Sequence, residues 1–516
     1  MKAATRANVS RVLLVGLLCL AACRSEPAKQ PATWRKDCAP RTRHVGLGRD
    51  AAREAYRAEA LRHEIRQREA AAPGYFLRTV HAALPAESIA TGNACPGELA
   101  DVGELLFDHE YASSDGLGGG GAVRRAGVPF RRVHEGLFGG PETISCPSCH
   151  WVGGPNGAGA ETDNAFLAGD GARPTSGDAR NAPALVGLGV VEALGREMTR
   201  DLQGQRADLM REAARAGAER EVRLKTKGVD FGVLRASTDG TIDASGVRGI
   251  DRDLVVKPFG WKGTHIDIAD FASEALQVHM GIQSDQILSV ASADVVGSGT
   301  DAADPDSDGV RGELGHGPFA ALVVHLALVE MPIVQPLIQD SLTEPAAQGL
   351  LPPITKSFVD DFARGRKQFH AIGCAGCHVP MMILENPVLE LEGLPPIDLA
   401  REMRQPALRH DRELGGYPVW LFSDLKRHDM GKVNAARHEQ RGVPKPHYIT
   451  PRLWGIADSA PYLHDGRAPS FDYAIAGHDG EGAAARAAFA ALPFEEQNAL
   501  RVYLMSLRRA SRVMVP

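Results

Sequence analysis

The sequence predicts a mainly α fold built as two similar units in tandem, with long loops between the helices. Three observations predict it. The stretch "ISCPSCHWVGG" holds Cys146-Pro-Ser-Cys149-His150, and "IGCAGCHVP" repeats the arrangement as Cys374-Ala-Gly-Cys377-His378. The second copy is entered directly from a helix-patterned segment, "SFVDDFARGRKQFHAIG". Elsewhere, helical periodicity and Gly/Pro/Asn-rich loops prevail over the alternating runs that strands require.

The elements follow in chain order. Lys2, Arg6 and Arg11 precede the apolar run "VLLVGLLCLAA" at 12–22. That run is short of the ~20 residues of a membrane-spanning helix and matches the apolar core of a secretory signal, giving a signal peptide over 1–22. Its end, Leu20-Ala21-Ala22-Cys23, resembles a bacterial lipobox, with Cys23 as the lipidated first residue of the mature chain. The expected location is the cell envelope: a periplasm-facing lipoprotein held by its lipid anchor only, the outer membrane ahead of the inner.

Residues 23–95 then form a tethered spacer, within which "LGRDAAREAYRAEALRHEIRQREAAA" (47–72) is a charged helix with few anchors for a core. The first unit is assigned to 96–345. It runs through "ELADVGELLFDHEY", the loop "GLGGGG" and the first Cys-x-x-Cys-His. A long polar loop at 153–183 follows, placed to frame access to the site. Residues 190–225 are charged and helical in pattern, read as an inserted, exposed helical pair. The apolar "PFAALVVHLALVEMP" (318–332) is a buried helix closing the unit. The second unit, 346–516, opens with the helix leading to Cys374 and ends with "LPFEEQNALRVYLMSLRRA".

Composition excludes some functions. At 516 residues the chain has room for about three domains. A hydrophobic fraction of 44% is ordinary for a globular protein, and a formal net charge of -6 provides no basic footprint for nucleic acid.

Export changes the meaning of the eight cysteines. Cys19 leaves with the signal, Cys23 takes lipid and four lie in the repeated motif. Cys38 and Cys95 are left as a pair able to form a disulfide in an oxidising compartment, subject to a geometry that sequence does not supply. The motif itself lacks the second Cys pair or His-x₃₋₅-His of a zinc site and the βαβ setting of a thioredoxin-like dithiol. A histidine directly after the second cysteine suits c-type haem: the two thiols form thioethers and the imidazole ligates iron from the same side. Two motifs predict two covalently bound haems.

At this point a family resemblance enters. The segment "YITPRLWGIADSAPYLHDGRAPSFDYAIAGH" resembles the C-terminal signature of bacterial di-haem cytochrome c peroxidases and their methylamine-utilisation relatives. "HEGLFGGPETISCPSCH", "NAPALVGLG", "KPFGWKG", "IGCAGCHVP", "SDLKRHDMG" and "LHDGRA" together are similar to the di-haem oxidoreductase branch, in order over about 100–510. The resemblance implies a division of labour. One haem, here the N-terminal one, reduces peroxide; the other is a six-coordinate relay fed by a partner cytochrome.

For the relay haem the proximal ligand is His378. The family's sixth ligand lies fourteen residues beyond the His of His-Asp-Gly, which from His464 lands on His478. Histidine there, where peroxidases often have Met, implies bis-His ligation and a lower potential. Met430 in "HDMG" is the competing ligand, and His464 is read as structural. The N-terminal haem has His150 as proximal ligand and no histidine between Trp151 and Pro183 to match the family's distal one, which implies an open face. The family's acid/base Glu of Glu-Met-Gly is replaced by His279 before Met280-Gly281; its imidazole is either a proton shuttle or a second iron ligand, the shuttle being preferred. Trp261 in "FGWKG" matches the tryptophan through which electrons pass between the haems of relatives.

Calcium is carried as a further cofactor candidate. In "DPDSDGVRGELG", Asp304, Asp306, Asp308 and Gly309 occupy the first positions of a calcium loop, but the twelfth is Gly315, and a solvated Asp-rich turn accounts for the pattern equally well. Relatives hold calcium between their haems mostly through backbone and amide oxygens, so this stretch does not locate that site.

The leading expectation is an exported di-haem enzyme reducing hydrogen peroxide with electrons from a periplasmic donor such as a small cytochrome c. The alternatives are a non-catalytic electron-transfer lipoprotein with both haems six-coordinate, and a haem-dependent oxidase of a protein or organic substrate.

Overall fold

The computed structural model describes residues 33–35, 37–38, 49–118, 141–170, 173–290, 301, 304–334, 355–403 and 408–509. The expected signal peptide and Cys23 lie outside the described residues, as does the second half of the Gly-rich loop 116–121. The fold is mainly α, with strands confined to sheets of two or three short members. No described helix is long and apolar enough to cross a membrane.

Two helix crossings organise the chain. The helix Pro96–Asp108 packs against His316–Leu328, and Lys356–Ala371 packs against Phe494–Met505. Each crossing turns on a glycine. A Cβ on Gly103 would lie 2.0 Å from the Ala321 carbonyl oxygen and 2.6 Å from His325 Cβ; one on Gly365 would lie 2.0 Å from the Ala499 carbonyl oxygen and 2.8 Å from Tyr503 Cβ. In both pairs the absent side chain lets two backbones touch, with a ring-bearing residue one helical turn further along the partner. The two crossings thus share one packing device.

Beside each crossing lies the same local turn. Cys146–Ser148 and Cys374–Gly376 are single 3₁₀ turns, with His150 N donating to Cys146 O (3.0 Å) and His378 N to Cys374 O (3.0 Å). The buried core also falls into two clusters. The larger gathers the first crossing, the helix Leu188–Ala216 and residues from Met382 to Leu425; the smaller gathers Phe362, Phe369, Phe422, Phe489, Leu500 and Tyr503 around the second crossing.

The charged segment 190–225 departs from expectation. It is one helix, Leu188–Ala216, followed by the antiparallel hairpin Arg220–Thr226 and Val229–Ala236, to which Ile242–Asp243 adds a third strand. Val222, Leu224 and Thr226 alternate with charged residues, and the two-residue Lys227-Gly228 turn has positive φ at both positions (48° and 82°), as the favoured hairpin turn requires. Nor is the helix exposed: Leu188, Leu194, Met198, Leu202 and Leu209 are buried along it. By contrast, the charged helix Arg49–Ala71 is exposed along most of its length from Tyr56 onward, and His316–Leu328 is buried as expected.

Cys38 and Cys95 are joined in a disulfide with Cα atoms 5.4 Å apart. It ties the segment before the first described helix to the start of Pro96–Asp108, where Arg35 also pairs with Glu98 (2.9 Å).

Candidate active site

Each Cys-x-x-Cys-His turn opens onto a large cleft. The first, about 1460 Å3 including space open to solvent, is lined by Cys146, Cys149, His150, Glu142, Trp261 and His279 among others. The second, about 1390 Å3, is lined by Cys374, Cys377, His378, Met430, His464 and His478 among others.

Although partly exposed to their clefts, the leading cysteines sit in apolar surroundings. Burial pushes the Cys146 thiol up to about 12 and Cys374 up to about 11.

The motif histidines are neutral and oriented. His150 Nδ1 donates to the carbonyls of Pro183 (3.0 Å) and Gly157 (3.2 Å), and burial lowers its pKa to about 4. His378 Nδ1 donates to the Phe422 carbonyl (3.1 Å), with burial again lowering the pKa to about 4. A carbonyl only accepts, so the proton is fixed on Nδ1 and the Nε2 lone pair is left for a metal. His478 follows the same rule: its Nδ1 donates to the Ala474 carbonyl (2.8 Å) and burial lowers its pKa. The rings of His378 and His478 stand with centres 6.3 Å apart, which leaves room for one metal ion at about 2 Å from each Nε2. Donor chemistry and spacing thus fit an iron held by both imidazoles. Met430 lines the same cleft, its backbone N–H bonded to the Pro446 carbonyl (2.9 Å).

His279 occupies the last turn of Ile268–Met280, in the wall of the first cleft. Its Nδ1 is 2.5 Å from the Glu142 carboxylate. Burial works against the charged imidazole, but the bond to Glu142 outweighs it and raises the pKa. Glu142 is itself buried and fixed, its other oxygen accepting from Phe166 N (3.0 Å). A carboxylate is therefore present in this cleft after all, supplied by the segment entering the first motif instead of by the helix. Sequence reasoning missed it; the available signal was a lone acid four residues before Cys146.

Trp261 lines both clefts. Its indole N–H donates to the Asn181 carbonyl (2.7 Å), and Asn181 N donates to the His464 carbonyl (2.8 Å), so one short chain of bonds ties the tryptophan to the wall of the second cleft. Lys262, also missed, is fully buried beside it. Its ammonium donates to the Lys445 carbonyl (2.6 Å) and stands 3.8 Å over the Tyr448 ring, which stacks on His464 at 4.5 Å; burial pushes the amine down to about 7. His464 is thereby a packed element of the wall, its pKa lowered by burial to about 4.

Comparison with known proteins adds the following. Residues 346–507 match the family model described as "Di-haem oxidoreductase, putative peroxidase". No curated protein matches. A solved structure described as a MauG-like protein associated with microbial copper homeostasis is 14% identical, with 55% of this chain and 79% of that chain covered at a TM-score of 0.27.

Proposed function

We propose that this chain, whose residues 346–507 match the di-haem oxidoreductase family model, reduces hydrogen peroxide to water in its first cleft with electrons received at its second. The carrying observation is the His279–Glu142 pair, a proton-handling couple in the wall of the cleft that also presents His150.

Cys146, Cys149 and His150 would hold one haem, and Cys374, Cys377, His378 and His478 the other. When bound, these groups supply one-electron storage and the redox partner for peroxide. The protein's own residues do the rest. Glu142 holds the imidazole of His279 through Nδ1 and keeps it basic, so that Nε2 takes the proton from one peroxide oxygen and returns it to the other as the O–O bond breaks. Two electrons and two protons then convert each peroxide to two waters. Trp261, common to both walls, offers the aromatic path for electrons between the clefts.

The donor in this reading is a small periplasmic one-electron carrier, and the protein works outside the cytoplasm as a lipid-anchored chain. What supports the exported setting is the Leu20-Ala21-Ala22-Cys23 sequence together with the Cys38–Cys95 disulfide, a bond that persists in oxidising compartments. The test is steady-state peroxide consumption by the purified holoprotein supplied with a reduced small cytochrome c. Saturable, peroxide-dependent oxidation of the donor is expected; its absence with every one-electron donor tried, in a protein carrying both haems, would overturn the reading.

A further inference from the structure

The acidic turn at 304–309 is not the solvated loop that its composition allows. Asp306 is 4% exposed, and neither of its carboxylate oxygens has a hydrogen-bond partner of ordinary geometry, the neighbouring Asp308 N–H being bonded to Asp304 (3.0 Å). One ligand oxygen from each of Asp304, Asp306 and Asp308 lies within 4.8 Å of the others. Burying an ionised carboxylate with no donor is strongly unfavourable, and gathering two more around it adds repulsion. Only a proton or a cation relieves both.

The turn is shaped in advance for the second solution. Asp304 accepts from Asp308 N (3.0 Å) and Gly309 N (3.1 Å), and Asp308 accepts from Val310 N (2.7 Å), so these two carboxylates are fixed before any ligand arrives. Gly309, at φ 94°, makes the reversal that a side chain at the sixth position of such a loop would oppose. We propose that Asp304, Asp306 and Asp308 form a calcium site. The donors are all oxygen and all anionic, which selects a hard divalent cation over zinc or copper. An irregular turn of this kind suits calcium's flexible coordination better than magnesium's strict octahedron.

Its place in the fold gives it a consequence. Glu313, buried beyond the turn, accepts from Gln283 N (2.7 Å), and Leu314 bridges Ser284, so the turn is fastened to the segment leaving the helix that carries His279. Ion binding would brace that helix end.

Calcium per chain, measured by inductively coupled plasma mass spectrometry after equilibration of the holoprotein in micromolar calcium, should fall by one in Asp306→Asn and in Asp304→Asn. The melting temperatures should also cross. In EGTA, Asp306→Asn should melt above the wild type, because a repelled buried charge is gone; in millimolar calcium the wild type should rise by about 5 °C and melt above the variant. Equal calcium content in wild type and both variants would overturn the proposal, as would a calcium-induced rise that Asp306→Asn retains in full.

Discussion

His378 and His478 face each other with ring centres 6.3 Å apart, and each donates from Nδ1 to a backbone carbonyl, of Phe422 and Ala474 respectively. Two neutral imidazoles with their protons fixed on the outer nitrogens make a ligand pair for a single metal. Replacing His478 with Ala should therefore abolish the low-spin signal of that haem and raise its potential. Met430→Leu should leave both unchanged, as followed by optical and electron paramagnetic resonance spectra. The converse pattern would make Met430 the ligand.

The pH dependence of the first cleft follows from Glu142. Its carboxylate raises the pKa of His279 above the ordinary histidine value, so the stabilisation it gives the folded chain is fully present below about pH 6.5 and is lost as pH rises through the raised value. A base must be unprotonated, so kcat/KM for peroxide should rise through that same raised pKa. In Glu142→Gln the limb should move to lower pH by about 1–3 units, the usual effect of removing an adjacent opposite charge. A limb that stays in place would show that Glu142 does not govern His279.

The two helix crossings should be sensitive to one methyl group each. Gly103→Ala and Gly365→Ala each set a Cβ 2.0 Å from a carbonyl oxygen on the facing helix, and overpacking of this kind costs about 1–3 kcal/mol. Gly204→Ala, in the helix Leu188–Ala216 with nothing near its Cβ, should be neutral or stabilising by up to about 1 kcal/mol. Chemical denaturation of the holoproteins measures all three.

Trp261→Leu should keep both haems and their spin states while slowing electron passage between them. Stopped-flow reduction from the second cleft should then lag by about tenfold or more, a barrier change of about 1.4 kcal/mol per decade. A wild-type rate would remove the tryptophan from the path.

Chemistry confined to a few consecutive residues was legible in the sequence. Cys146, Cys149 and His150, and their counterparts Cys374, Cys377 and His378, form the same turn because each motif is a run of five consecutive residues closed by its own backbone hydrogen bond. The family resemblance pointed to His478, fourteen residues beyond His464, and the structure sets its ring in one cleft with that of His378. Glu142 was not, since its partner His279 lies 137 positions away and the pairing exists only once the helix Ile268–Met280 has docked. The hairpin 220–236 was legible in the alternation of Val222, Leu224 and Thr226 with charged residues, a period of two overshadowed by the helical pattern of the segment before it. Asp306 stayed open between a calcium loop and a solvated turn because sequence carries no measure of burial.

The most direct test of the mechanism compares the wild type with His279→Ala in the resting ferric state, by electron paramagnetic resonance and by peroxide turnover. With His279 as proton shuttle, the wild type shows one high-spin and one low-spin haem, the variant shows the same pair, and turnover falls by about 10²–10⁴. A low-spin N-terminal haem that turns high-spin on mutation would show His279 bound to iron and would contradict the account.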